Sequence, residues 1–304
     1  MFHILANIYV EKVRQWGSFL ENGGDDEGGA LEAFEQSLIA LKVLRRLIIA
    51  GFENPSRERD IQEFWGLSFT HFATFYSLLG RESSSLSSHV ESLVEKHIMQ
   101  LSKLHVEMAK VHPASFALLP GCVDLVRSYW SLVVKLGKSH GSTNPAKASI
   151  GRDGDVDEEE KSLLEKVGLK ALLLLRACAK MAFNPAHTFK YQHPQDKVEK
   201  SQSIELIKSQ ILTEEFVVQV MELLVTRFFA FRPSDLREWE EEPEEWEKRE
   251  EEITDAWEFS IRSCSEKLFL DLVINFKELL VPRLLGVFYS YASEYSYLPS
   301  LLVF

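Results

Sequence analysis

Residues 37–52 read SLIALKVLRRLIIAGF. Leu38, Leu41, Leu44, Leu47 and Ile48 recur at i, i+3, i+6, i+9 and i+10, with Val43 beside the stripe and Lys42, Arg45 and Arg46 on the other face. A helix of about 3.6 residues per turn brings such positions onto one side, so this is an amphipathic helix with one apolar face. The same kind of pattern returns along the chain. It predicts helices at about 2–21, 31–51, 56–79, 87–111, 121–137, 158–183, 200–211, 214–231 and 261–292. No alternating period-2 run bounded by hairpin residues occurs, so no sheet is expected.

The punctuation agrees with these breaks. Asn54-Pro55 supplies a cap residue and a first-turn proline. Thr213 precedes Glu214 and Glu215, an N-cap with acids in the first turn. Asp235 with Glu238 resembles a capping box. Loops are expected at 22–29, 137–155 and 183–197, where Gly, Asn, Pro, Ser and His cluster. Long helices with short links suggest antiparallel pairs, read as 31–51 with 56–79, 87–111 with 121–137, 158–183 with 214–231, and 261–277 with 280–292. The fold class expected is all-α, a HEAT/armadillo-type helical-repeat solenoid, with an irregular helical globule as the rival. The domain reading is helical repeats over 1–234, an acidic Trp-containing insert at 235–258, and a further, truncated helix pair over 259–304. Neither end supplies the polar cap that a solenoid needs, so the chain is expected to be an internal piece of something longer.

The charge is localised. The chain has a net charge of −12. From Asp235 to Glu258 there are 13 Asp and Glu against Arg237, Lys248 and Arg249, a net of −10. Nucleic acid as the main partner is disfavoured, because a phosphate backbone selects an excess of Lys and Arg. An anionic membrane surface is disfavoured for the same reason. The longest apolar run, near ALLLLRACAKMAF, is cut by Arg176 and Lys180 and falls short of a membrane span. Three widely spaced cysteines, Cys122, Cys178 and Cys264, form neither a disulfide framework nor a zinc-binding pair, which fits a reducing compartment.

Little in the chain reads as catalysis. His89, His97 and His105 recur every eight residues on one predicted helix. That advance is about 12 Å, too far for two ligands of one zinc ion, so they read as separate packing or surface residues. His187 and His193 read likewise. Asp153, Asp155 and Asp157 alternate as in a calcium loop, but the required Gly and Glu positions hold Glu158 and Leu164. The cysteines sit in apolar helical sequence and read as small buried hydrophobes. No enzyme, cofactor or metal site is expected. The acidic block remains, with Glu238, Trp239, Glu240, Glu241, Glu244, Glu245, Trp246 and Glu247 as candidate partner-binding residues. Pro243 splits it into two short helices, Glu244–Lys248 and Glu245–Arg249 offer i,i+4 pairs, and Trp239, Trp246 and Trp257 offer apolar anchors to the body. A solvated helix face and a surface for Lys/Arg-rich partners are equally consistent with these residues.

Several ordered pieces resemble the importin-β (karyopherin) superfamily, and within it the importin-11-like branch. They are SLIALKVLRRLIIAGF at 37–52, HPASFALLPGCVDL at 112–125, the Trp239-Glu240 and Pro243-Glu244 insert motif, and WEFSIRSCSEKLFLDL at 257–272. Arg262, Cys264, Glu266, Leu268 and Phe269 match that branch's Arg-x-Cys-x-Glu-x-Leu-Phe pattern. Glu242 stands where Asp is expected, and the likeness fades after about Phe288. The resemblance implies a HEAT-repeat nuclear transport receptor that shuttles between cytoplasm and nucleus. Its partners would be basic protein cargo, nucleoporin Phe-Gly repeats and the GTP form of the small GTPase Ran, the last gripped by N-terminal repeats this chain lacks. The alternative is a HEAT-repeat scaffold for a static complex.

Overall fold

The computed structural model describes residues 1–22, 27–80, 87–140, 162–189, 194–229, 237, 239–251, 258 and 260–296, and no strand occurs among them. In chain order the helices are α1 (Phe2–Asn22), α2 (Glu27–Gly51), α3 (Arg59–Leu79), α4 (Ser88–Val111), α5 (Pro113–Leu118), α6 (Cys122–His140), α7 (Leu163–Phe183), α8 (Pro185–Thr188), α9 (Pro194–Leu206), α10 (Glu214–Leu223), α11 (Pro243–Glu251), α12 (Ile261–Asn275) and α13 (Lys277–Ser296). Helices α9 and α10 each run on into a π-turn, Ile207–Ile211 and Leu224–Phe228. The expected helix over 261–292 is broken at Phe276, which caps α12.

The helices stack as antiparallel pairs: α1 with α2, α3 with α4, α6 with α7, and α10 and its π-turn with α12. This corrects the first three pairings expected from sequence by one helix each, while the helices expected as the fourth pair, 261–277 with 280–292, do touch as α12 and α13. The sequence frame joined α2 to α3, α4 to α6 and α7 to α10, whereas those links connect one pair to the next. An apolar stripe does not say which flanking helix it meets, because each helix in a stack has neighbours on both sides. The pairs build two layers. Helices α2, α4, α7 and α12 pack side by side along their lengths. Helices α1, α3, α6 and α10 form the other layer and touch one another more sparsely. The more closely packed α2-α4-α7-α12 layer is the inner one, the side expected to be concave in an α-α superhelix.

The links from pair to pair share one conformation. Asn54, His112 and Asn184 follow α2, α4 and α7 with φ/ψ of −129/75, −123/61 and −124/52. Each is followed by a proline that opens a short helical turn, at Pro55, Pro113 and Pro185. The residue before proline is pushed out of the α region, so the inner helix ends there and the next pair begins. Asn54 occupies the cap position but makes no side-chain cap, and α3 begins only at Arg59. Ser87, Ser162 and Thr213 do cap, each accepting from the backbone N–H three residues on.

The space between layers is filled by the stripes. α3 buries Ile61, Phe64, Trp65, Ser68, Phe72 and Phe75. Trp16 stacks on Phe34 with ring centroids 4.1 Å apart. Each such side chain contributes about 1.5–3 kcal/mol through burial. A few polar rivets cross the same interior. Trp16 Nε1–H donates to Ser37 Oγ at 3.2 Å, and Ser37 Oγ lies 2.8 Å from His97 Nε2. Ser68 Oγ lies 3.1 Å from His105 Nε2, whose Nδ1 meets the Tyr129 hydroxyl at 2.9 Å. His97 and His105 are thus separate packing groups, and His89 is exposed, as the eight-residue spacing predicts.

Candidate partner-binding surface

The acidic insert leaves the π-turn that ends α10 and returns to α12, so it closes the fourth pair. Residues 239–241 are helical, Glu242 breaks the helix, and α11 begins at Pro243. Proline at the first helical position lacks only an N–H that would be unsatisfied there anyway. Glu244 and Glu245 then face the positive end of the helix dipole. Glu240, Glu241, Glu242, Glu244, Glu245 and Glu247 are all exposed. The structure therefore presents a run of carboxylates on short helices at the surface.

Two expectations about this insert need correction. Trp239 is 53% exposed, so it does not anchor the insert to the body. The described carboxylates around it, Glu240, Glu241 and Glu242, are exposed as well. The Glu244–Lys248 pair is not formed, unlike the exposed i,i+4 pair of Arg59 with Glu63. Glu238, the Trp246 side chain and Trp257 lie outside the described residues. What fastens the insert is its far end. Lys110 Nζ of α4 donates to Glu258 at 2.7 Å, 148 residues away in sequence. Glu258 was not among the candidate site residues. The signal for it was the spacing of Lys96, Lys103 and Lys110, seven apart, which sets one row of cations along α4.

Around this seat the inner layer is laced with charge. Arg45 of α2 pairs with Glu107 of α4. Arg176 of α7 donates through Nε to Asp271 of α12 at 2.7 Å. Beneath them the cysteines are buried, and burial pushes the thiols of Cys178 and Cys264 up to about 12. Such thiols are poor nucleophiles. No cluster of His, Cys, Asp and Glu among the described residues has the arrangement of a metal site. No described helix is long and apolar enough to cross a membrane.

Two clefts accompany the insert. One, of about 290 Å³, lies where the ends of α2 and α4 meet α9, with Phe52, Val111 and Phe189 among its walls and Asp196 and Glu199 at its rim. The other, of about 240 Å³, lies between α6 and α10 and includes Arg127, Ile211, Phe216 and Gln219. His112 and Ser115 both line the first cleft, where the His112 ring meets the Ile49 carbonyl oxygen at 2.9 Å and the Ser115 hydroxyl accepts from Ser56 at 3.0 Å.

The described residues form a stack of helix pairs that carries exposed acidic helices. Known proteins share this build. The chain is 28% identical over 298 residues to the importin beta-like protein KAP120 of Saccharomyces cerevisiae, covering 96% of this chain and 26% of that protein. It is 25% identical over 293 residues to human importin-11, covering 94% of this chain and 27% of that protein. Its homologues are importin-β-family proteins. Among solved structures, Lph2, described as a bidirectional nuclear transport receptor of S. cerevisiae, superposes with a TM-score of 0.70 at 25% identity, over 93% of this chain and 24% of that one. No family model matches the chain. The chain spans about a quarter of the length of the relatives it matches. The importin-like likeness runs through all the helix pairs, so the all-α repeat stack is the shared feature, and the relatives carry names of transport receptors rather than enzymes.

Proposed function

We propose that this chain is a segment of a nuclear import receptor whose acidic insert binds basic protein cargo. The observation that carries the reading is the set of exposed carboxylates on 239–247, held on short helices. Carboxylates fixed in place present a steady negative potential to Lys/Arg-rich segments, and salt screens it over about 8–10 Å. Trp239, exposed among them, offers a ring for a passing guanidinium or ammonium. In this reading Glu238, Trp239, Glu240, Glu241, Glu244, Glu245, Trp246 and Glu247 form the contact, and the insert serves cargo or the GTP form of Ran. The cleft between α6 and α10, with Phe216 packed edge-on against Trp130 at 5.3 Å, is the surface offered to the Phe side chains of nucleoporin repeats. The longer protein would shuttle between cytoplasm and nucleus through the pore.

The test is binding of a labelled Lys/Arg-rich peptide to the wild-type chain and to the fourfold variant Glu240→Gln, Glu241→Gln, Glu244→Gln, Glu245→Gln. Weaker binding with a flatter salt dependence supports the reading. Equal affinity sinks it and leaves the insert a solvated face. For the longer protein, release of the bound peptide by Ran-GTP and not Ran-GDP separates a transport receptor from a static scaffold.

A further inference from the structure

The inner layer carries a second charged surface, of opposite sign. Lys103 and Lys110 lie two turns apart on one face of α4, about 10 Å along the axis. Lys170 and Lys180 belong to α7, the helix packed beside α4. Burial, and then the like charges of Lys103 and Lys110, lower the Lys170 amine from its ordinary value. Burial, and then Arg176, do the same to Lys180, with Lys110 adding to it. Glu258 opposes both shifts. Glu258 therefore pairs with Lys110 and also acts through its charge on Lys170 and Lys180.

The neighbouring acids are already engaged. Glu107 is taken by Arg45, and Asp271 by Arg176. Lys103, Lys170 and Lys180 form no ion pair among the described residues. Among the described residues, positive charge thus exceeds its neutralisation on this patch, although the chain as a whole is strongly acidic. A cluster of ammonium groups, those of Lys103 and Lys170 partly buried and those of Lys110 and Lys180 exposed, creates a local potential that attracts carboxylates.

We propose that this lysine face of α4 and α7 is a docking surface for an Asp/Glu-rich polypeptide segment of a partner protein, whose carboxylates engage Lys103, Lys110, Lys170 and Lys180. The occupant is identified by what the structure already seats there, a glutamate side chain on Lys110 at 2.7 Å. Ammonium groups on flexible stems suit single carboxylates at varied spacing. Glu258 holds one of the four cations, so an incoming segment must displace it.

The experiment is fluorescence anisotropy of a labelled oligoglutamate peptide on the chain at low and physiological salt, with single-stranded RNA of equal charge in parallel. Saturable, salt-sensitive peptide binding is expected. Lys103→Glu with Lys170→Glu should weaken it roughly tenfold or more, as loss of several charge-assisted contacts implies. Lys180→Glu, an exposed position, should act in the same direction, and unchanged thermal melts would show that all variants fold. Glu258→Gln should tighten binding by freeing Lys110. The proposal is overturned if the peptide fails to bind both wild type and Glu258→Gln, if the charge-reversed variants bind as well as wild type, or if RNA binds more tightly than the peptide through the same lysines. It stands apart from the cargo reading, since that is tested with a basic peptide and glutamates this experiment leaves intact.

Discussion

His105 and Tyr129 meet in the dry interior, with Nδ1 2.9 Å from the phenolic oxygen. Ser68 Oγ stands 3.1 Å from the other ring nitrogen. The three residues come from α4, α6 and α3, so one imidazole ties two successive pairs together. Burial lowers its pKa to about 3, and that of His97 to about 4. Both therefore stay neutral in the folded chain through the ordinary pH range.

A stability loss in mild acid follows. Unfolded histidines take up protons near pH 6.5, while the folded ones do so only near 4 and 3. Between those limits the unfolded state binds more protons, so stability falls as pH falls. Each histidine contributes a slope of about 1.4 kcal/mol per pH unit inside its window. Urea melts from about pH 7 to about pH 4 should show this slope, and His105→Phe should roughly halve it. A flat profile for the wild type would contradict neutral buried imidazoles.

The tryptophans divide by burial. Trp16, 1% exposed and stacked on Phe34, should cost about 3–5 kcal/mol when replaced by alanine. Trp239, 53% exposed, should cost less than about 0.5 kcal/mol on the same substitution. Basic-peptide affinity should respond in the opposite sense, falling for Trp239→Ala. Denaturant melts and peptide titrations on the two variants measure both effects.

Helix approach sets a different limit. A Cβ on Gly168 of α7 would lie 2.5 Å from Leu136 Cδ2 of α6, a side chain only 2% exposed. Gly168→Val should then destabilise by about 1–3 kcal/mol through overpacking, despite the poor helix propensity of glycine. Gly17, with open space around its Cβ position, should tolerate alanine and gain stability. Paired thermal melts decide it, and a neutral Gly168→Val would overturn the close α6–α7 contact.

The thiols should be silent. Cys122, Cys178 and Cys264 are buried, and burial raises all three pKa values. An aromatic disulfide reagent at neutral pH should leave the native chain unmodified over the time in which the urea-unfolded chain reacts at three sites. Rapid labelling of the native chain would show that α7 or α12 opens readily.

Arg176 and Asp271 should be coupled. They join α7 to α12 at 2.7 Å, with side chains 13% and 30% exposed. Losing either partner leaves the other charge partly buried and should cost about 1–3 kcal/mol. The double variant should cost less than the sum, which a double-mutant cycle reads directly.

The sequence by itself determined the helices and the class of fold. Stripes such as Leu38-Leu41-Leu44-Ile48 are local, and a 3.6-residue period needs no knowledge of what the stripe touches. It also localised the charge, because the −10 between Asp235 and Glu258 is a matter of counting. Even the links between pairs were legible after the fact: Asn54-Pro55, His112-Pro113 and Asn184-Pro185 mark the end of each inner helix. The tertiary structure decided which helices pair, because a stripe that meets two neighbours carries no label for either. It decided that Trp239 faces solvent, since tryptophan suits an interior and an exposed recognition surface alike. And it alone brought Glu258 onto Lys110 across 148 residues and set Lys170 and Lys180 around them. Charge acts through space, so a cluster drawn from three helices has no signature in the order of the chain.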